Sequence, residues 1–386
     1  MPTVLVVGAG YAGVHAARTA RSHGADVVLV DPEGRHELAP RLAAVAGGRR
    51  AAGDAWAPLA DVAEATWVRG RVVHVAVDGP SVELEDGRTL AADAVVVTVG
   101  AASSLPPVPG LDPAHARTLR TAGDALRLRE ELPDTDALVV VGAGATGVQL
   151  AAEAAASHPD LRVTLLEDGD TLLPAYAAGL GRHAGRVLAR RGVDVRTATR
   201  ATAADERGVD LSDGTRLDGL VVWATGTAAD ASALLPDAPT RDGRLLVDRR
   251  LRVRGRVLAA GDVALHLDVL GRAIAPSAQV ALQAGRAAGA NAARVARGQL
   301  PRPAQLVDLG WLVDLGSGHG VAQVGPLQLR GPLLDRLPPL LHEAVDARHL
   351  LQAGGLSALL GHAPGRHHPD DAALRRAERP GLRSVG

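Results

Sequence analysis

The pattern that most narrows the folds open to this chain occurs twice. Residues 4–7, Val-Leu-Val-Val, form a short continuous apolar run of the kind expected of a strand buried on both faces. Gly8, Gly10 and Gly13 follow at GxGxxG spacing, with Tyr11 and Ala12 between them. A helix-compatible stretch over residues 12–22 comes next, then a second apolar run, 27–30, which ends in Asp31 and Pro32. Gly8 permits a tight turn, Gly10 lets backbone approach a pyrophosphate, and Gly13 lets the helix pack close to the strand. The helix aims its first N–H groups at the phosphates, and Asp31 stands where a carboxylate accepts hydrogen bonds from a ribose. From residue 137 the order recurs: strand 137–141, Gly142, Gly144 and Gly147, helix 146–156, strand 162–166, Glu167. Each copy then carries an Asp-Gly hairpin (Asp86-Gly87, Asp213-Gly214) and a closing apolar strand that runs into a glycine, 95–99 into Gly100 and 220–223 into Gly226. One GxGxxG is weak on its own, whereas the whole ordered series in duplicate is specific. Two dinucleotide sites imply two dinucleotides, most economically a flavin and a nicotinamide.

Composition removes other chemistries. None of the 386 residues is Cys, so there is no disulfide, thiolate nucleophile or cysteine-ligated iron–sulfur cluster. The net charge of −1 and the lack of a basic patch argue against nucleic acid. No run of about 18 apolar residues suggests a membrane span, and strand one begins too early to leave room for a signal peptide, so a cytoplasmic protein is expected. The alphabet is narrow: no Lys, no Phe, two Tyr and four Trp. Arg therefore supplies all the basic side chains besides His, and Leu, Val and Ala must fill the core.

The remaining segments are read more coarsely. Residues 68–77 alternate and predict one strand. Residues 105–110 break regular structure at a crossover. Strands are predicted at 243–248 and 257–262, the latter ending in Gly261-Asp262. A helix is predicted over 276–297 with Pro276 in its first turn. Residues 312–324, with Gly316, Gly318 and Gly320, predict strands with tight turns. The leucine-rich stretch 333–360, interrupted at Pro338-Pro339 and Gly354-Gly355, reads as a helical cover of the core or a dimer contact rather than a lipid anchor. The tail group His362, His367, His368 and Asp370 lacks ligand spacing, so no metal site is expected.

Three further stretches resemble a known family. They are Arg35-His36-Glu-Leu-Ala-Pro-Arg-Leu, the AQxxxQxG segment Ala278-Gln279-Val-Ala-Leu-Gln283-Ala-Gly285, and Gly310-Trp-Leu-Val-Asp-Leu-Gly-Ser-Gly-His-Gly. Together with the two loops and Gly261-Asp262, they make the chain similar to type II NADH:quinone oxidoreductases, within the FAD- and NAD(P)-binding pyridine-nucleotide oxidoreductases. The resemblance covers roughly residues 3 to 330. It implies an α/β fold of two Rossmann-like dinucleotide-binding domains, each a three-layer ββα unit, with the second inserted into the first. Residues 1–112 and 243–328 would bind FAD, residues 120–242 would bind NADH, and 329–386 would form a C-terminal segment.

The resemblance also implies roles. Asp262 would contact the ribityl or pyrophosphate region of FAD, with Arg35, His36 and Val73 also at the cofactor. The backbone at Ala278 and Gln279 would face the flavin ring, where the positive end of a helix favours reduced flavin. Gln279 and Gln283, one turn apart, would line a quinone pocket and offer amide N–H groups to it. Gln149 stands where the family usually has Glu, so it could orient a nicotinamide but not act as a base. NADH would pass a hydride to FAD, and the electrons would go on to a quinone at the inner face of the cell membrane. Two other acceptor readings stay open: a soluble NADH reductase for a small electron carrier, and a non-catalytic flavin- and NADH-binding redox sensor. Disulfide reductases are excluded by the missing cysteines. Glu167 and Asp168, with no Arg directly after them, predict NADH over NADPH.

Overall fold

Along the first strand, Thr3–Val7, alternate side chains serve different layers, which is why the run is apolar throughout. Val4 and Val6 pack with helix residues such as Ala16, Val280 and Ala284, while Leu5 and Val7 pack with Val75, Val82 and Leu84 of an antiparallel meander. The strand Ala137–Val141 repeats the arrangement. Leu138 and Val140 face Val148 and Ala151 of a helix, and Val139 and Val141 face Val209 and Leu211 of a second meander. Each unit is thus meander, sheet and helix. The computed structural model describes residues 1–361 apart from Val269, Pro326, Pro332, Leu333 and Asp335, with backbone alone for His342 and residues 354–361.

The first sheet has six strands in the order Arg252–Arg254, Val257–Ala259, Ala94–Val97, Thr3–Val7, Asp26–Asp31, Thr66–Arg69. All neighbours in it are parallel except the pair at the Arg252–Arg254 edge. The second sheet is wholly parallel, in the order Arg117–Thr118, Leu220–Trp223, Ala137–Val141, Arg162–Leu166, Asp194–Arg196. Where the chain passes between the units, Ala102–Ser103 pairs antiparallel with Thr227–Ala228, next to Gly100 and Gly226.

The helix Tyr11–Ser22 lies on the long helix Ala278–Ala296 through small residues. A Cβ on Gly285 or Gly289 would sit 2.2 Å from the carbonyl oxygen of Ala12 or Ala16, so only glycine permits this backbone approach. The strands Trp311–Asp314, Gly320–Val324 and Leu327–Leu329 form their own antiparallel sheet. Their Val313 and Val321 pack with the second unit's helices, although the sequence groups these residues with the first unit. Leu42, Val45 and Trp56 of the first unit enter the same cluster. Arg49 ties the three parts together, reaching the buried Glu153 at 2.6 Å and Asp314 at 2.9 Å.

Four expectations change. The single strand at 68–77 is two strands, Thr66–Arg69 and Val72–Ala76, in different sheets. Gly70 turns the chain between them, against Leu84. The closing strand stops at Val97, where the Thr98 hydroxyl donates to the carbonyls of Val7 and Gly8. Pro276 precedes the helix rather than opening it, because Ser277 is the N-cap and its Oγ accepts from Val280 N. The leucine-rich stretch is one unbroken helix, Leu337–Gly361. Pro338 and Pro339 lie in its first turn, where the N–H groups they lack would have no helical partner. The tail residues His362, His367, His368 and Asp370 lie outside the described residues.

Candidate functional site

The first glycine loop is shaped by what surrounds it. Gly8 has φ +98°, and a Cβ on it would lie 2.8 Å from the Thr98 carbonyl oxygen. A Cβ on Gly13 would lie 1.8 Å from the carbonyl oxygen of Gly8. Gly10 differs, since a Cβ there would meet nothing within 4 Å. Its side is open at the N-terminus of the Tyr11–Ser22 helix, where a diphosphate would sit. Asp31 accepts from Ala9 N and Glu33 N, both at 2.9 Å, and burial raises its carboxyl above the usual range, opposed by those bonds. The remaining lone pairs of such a carboxylate can take ribose hydroxyls.

The second loop repeats this position for position. A Cβ on Gly142, at φ +104°, would lie 2.5 Å from the Ala224 carbonyl oxygen, and one on Gly147 would lie 1.9 Å from that of Gly142. Gly144 is open as Gly10 is. Glu167 accepts from Ala143 N at 2.8 Å and Gly169 N at 2.9 Å. Gln149 lies half-buried in the second turn of the helix Ala145–Ser157. The fold also brings an arginine that the local sequence does not show: Arg200 pairs with Asp168 at 3.0 Å. The expectation of no arginine beside these acids therefore holds along the chain but not in space. With both cradles open at the one glycine that internal packing does not demand, the residues fit two dinucleotides.

Other predicted positions are distributed as follows. Asp262 follows Gly261 at the end of the strand Val257–Ala259, and Arg120 reaches it at 3.3 Å while also donating to Ala101 O. Arg120 was not singled out from sequence, because nothing near it in the chain marks it. Gly261 has φ +83°, and its N–H donates to the buried His266 Nε2 at 3.1 Å. Val73 is exposed at a bulge in the first meander. Arg35 and His36 lie in a short strand paired with Trp56–Pro58. His36 is fully buried, and its Nδ1 bonds the Ala9 carbonyl at 2.9 Å. Trp67, also unforeseen, stands half-exposed beside the first acid, its indole N–H donating to Asp31 O.

The helix Ala278–Ala296 presents the N–H groups of Ala278 and Gln279 outside its own ladder. Its two glutamines are not the open amides expected. Gln279 Nε2 donates to Gly310 O at 2.7 Å and Asp308 Oδ1 at 3.1 Å. Gln283 both donates to Val307 O and accepts from Val307 N. The amides hold segment 307–310 against the helix by bonding its backbone at Val307 and Gly310. Beside that segment, Tyr176 and Trp311 meet edge to face at 5.2 Å, and burial, with Asp308 nearby, pushes the Tyr176 hydroxyl up to about 12.

A family profile described as pyridine nucleotide-disulphide oxidoreductase matches residues 2–285. The chain belongs to this family. It is therefore an oxidoreductase of pyridine nucleotides, and with no cysteine it lacks the disulphide of the family's name. It is 26% identical over 394 residues to a type II NADH:quinone oxidoreductase of Staphylococcus aureus, covering 92% of this chain and 96% of that one. Its fold is shared with NDH2 from Plasmodium falciparum solved in complex with NADH (TM-score 0.78, 17% identity, 94% and 97% of the two chains). It is also shared with the ferredoxin reductase of the CYP199A2 system from Rhodopseudomonas palustris (TM-score 0.74, 24% identity, 84% and 82%).

Proposed function

We propose that this oxidoreductase binds FAD at the first glycine loop and NADH at the second, and reduces a quinone. The observation that carries the reading is the identical wiring of the two loops, each with an open central glycine and a carboxylate bonded to the residue after the first glycine. FAD bound at the first loop supplies the two-electron chemistry that joins NADH oxidation to reduction of an acceptor. Asp31 and Glu167 orient the two adenosine riboses. The N-terminus of the Ala278–Ala296 helix places positive potential where the ring becomes electron-rich. Gln149 orients the nicotinamide by its amide and leaves proton transfer to solvent.

The quinone reading is supported by the 26% identical quinone oxidoreductase and by apolar surface on the C-terminal side. Leu337, Leu340, Leu341 and Val345 are exposed at spacings that put them on one helix face, and Val307 and Leu309 are exposed on the segment that Gln279 and Gln283 hold. Such a face suits contact with a lipid surface, where quinones reside. No helix among the described residues is long and apolar enough to cross a membrane, and the contact in this reading is a peripheral one. Gln279 and Gln283 then act on the acceptor by shaping segment 307–310.

Stopped-flow measurement of the two half-reactions tests this. Gln279→Ala or Gln283→Ala should leave flavin bleaching by NADH fast and slow reoxidation by quinone about tenfold, the effect of about 1.4 kcal/mol. Wild-type reoxidation by quinone in both variants would move the acceptor site elsewhere. Failure to sediment with anionic lipid vesicles would favour a soluble carrier as the acceptor.

A further inference from the structure

The C-terminal helix does more than cover the core. Its His349 is buried against Tyr11, His36 and His15, beside the loop that holds Gly10. Tyr11, just after Gly10, stacks on the His349 ring with centroids 4.3 Å apart. Ala9, just before Gly10, accepts from His36 Nδ1 at 2.9 Å, and His36 Nε2 bonds His349 Nε2 at 2.8 Å. The other nitrogen of His349, Nδ1, bonds His15 Nε2 at 3.2 Å. Around this chain the helix is pinned by Arg41–Asp346 at 2.8 Å, by Arg286 to Gln352 at 2.6 Å, and by Arg18 to the Ala353 carbonyl.

We propose that His349 is a positioning residue for the FAD diphosphate loop, so that the C-terminal helix completes the cofactor site through His349, His36 and Ala9. This rests on the assignment of FAD to the first loop. A carbonyl can only accept, so the bond to Ala9 puts the proton of His36 on Nδ1. In a neutral His36, Nε2 is then an acceptor, and His349 must donate to it from its own Nε2. One backbone carbonyl thereby sets the tautomer of two rings and, through His349 Nδ1, makes His15 the next donor. Without the His349 donor, His36 Nε2 loses the bond that fixes the ring's orientation, and the ring is no longer held with its Nδ1–H on the Ala9 oxygen. The loop loses its tether one residue from the position where a diphosphate approaches. The second glycine loop has no equivalent tether from this helix among the described residues, so the effect should be confined to the first site.

The two nitrogens of His349 can be tested apart. His349→Gln keeps a donor near the Nε2 position and so the bond to His36. His349→Asn keeps a polar group near Nδ1, toward His15, and loses the bond to His36. Apo-protein is titrated with FAD, and hydrogen exchange of the amides of residues 8–12 is followed in the same full-length chains. Expected is a three- to tenfold rise in FAD Kd for His349→Asn, about 0.7–1.4 kcal/mol by that fold-change, with faster exchange in the loop. His349→Gln should stay within about twofold of wild type in both readouts, and NADH Kd should not move in either. Equal weakening by Gln and Asn, or no weakening by Asn, would reduce His349 to a packing residue and overturn the proposal. A wild-type chain that takes up no FAD would instead remove the assignment of the first loop, and this proposal with it.

Discussion

Acid should destabilise this protein above the range in which most carboxylates titrate, because three buried imidazoles resist protonation. His15, His349 and His266 are nearly inaccessible, and burial is the largest cause that lowers their pKa values from 6.5 to about 3, about 2 and about 4. Arg286 adds repulsion at both His15 and His349. Unfolded, each ring titrates near 6.5. Between that value and the folded one, the unfolded chain binds more protons. Stability is therefore fully present above about pH 6.5 and is lost as pH falls toward the folded values.

From pH 7 to pH 5 each ring forfeits about 1.9 kcal/mol, or roughly 5–6 for the three. The sum depends little on how far each folded value lies below 5, since the loss is set by protonation of the unfolded chain. Two groups oppose it: burial raises the Asp31 and Glu37 carboxyls, and such groups gain stability as pH falls. A net loss of about 3–5 kcal/mol is expected, a large part of the roughly 5–15 kcal/mol typical of folded proteins. Urea midpoints of the apo-protein followed by circular dichroism at pH 7, 6 and 5 give the slope. His349→Gln should remove about one proton from it, near 1.4 kcal/mol per pH unit. Unchanged midpoints between pH 7 and 5, or an unaltered slope in His349→Gln, would refute the reasoning.

The other predictions are shorter. Gly147→Ala places a Cβ 1.9 Å from Gly142 O, so calorimetry should show NADH binding lost while bound FAD, read from the flavin spectrum, is retained. Asp168→Ala releases Arg200 from its ion pair, and the ratio of kcat/KM for NADH over NADPH should fall at least threefold as that guanidinium becomes available to a 2′-phosphate. Asp346→Ala leaves Arg41 buried and unpaired, at a cost of about 3–5 kcal/mol in a denaturation curve. Adding Arg41→Met to Asp346→Leu should recover most of it.

The two nucleotide-binding cradles were legible in the sequence because their geometry is local. Strand, glycines, helix, strand and acid lie within about thirty consecutive residues, and the first and third glycines of each loop are required by backbone a few residues away or just past an adjoining strand. Even the contrast between Gly13, crowded by Gly8 O, and Gly10, open to a ligand, follows from spacing. Side-chain partners far apart in the chain were not legible. Gln279 and Gln283 looked like a matched pair of open amides, and only the fold shows segment 307–310 returning to occupy them. Arg200 reaches Asp168, and Arg120 reaches Asp262, from residues that no spacing rule connects. His349 lies in a stretch that reads as plain leucine-rich helix, yet it ends up against Tyr11 and His36. A backbone motif carries its own constraints in its order, whereas a buried polar side chain must be satisfied by whatever packing brings to it, and that is decided only when the distant parts of the chain meet.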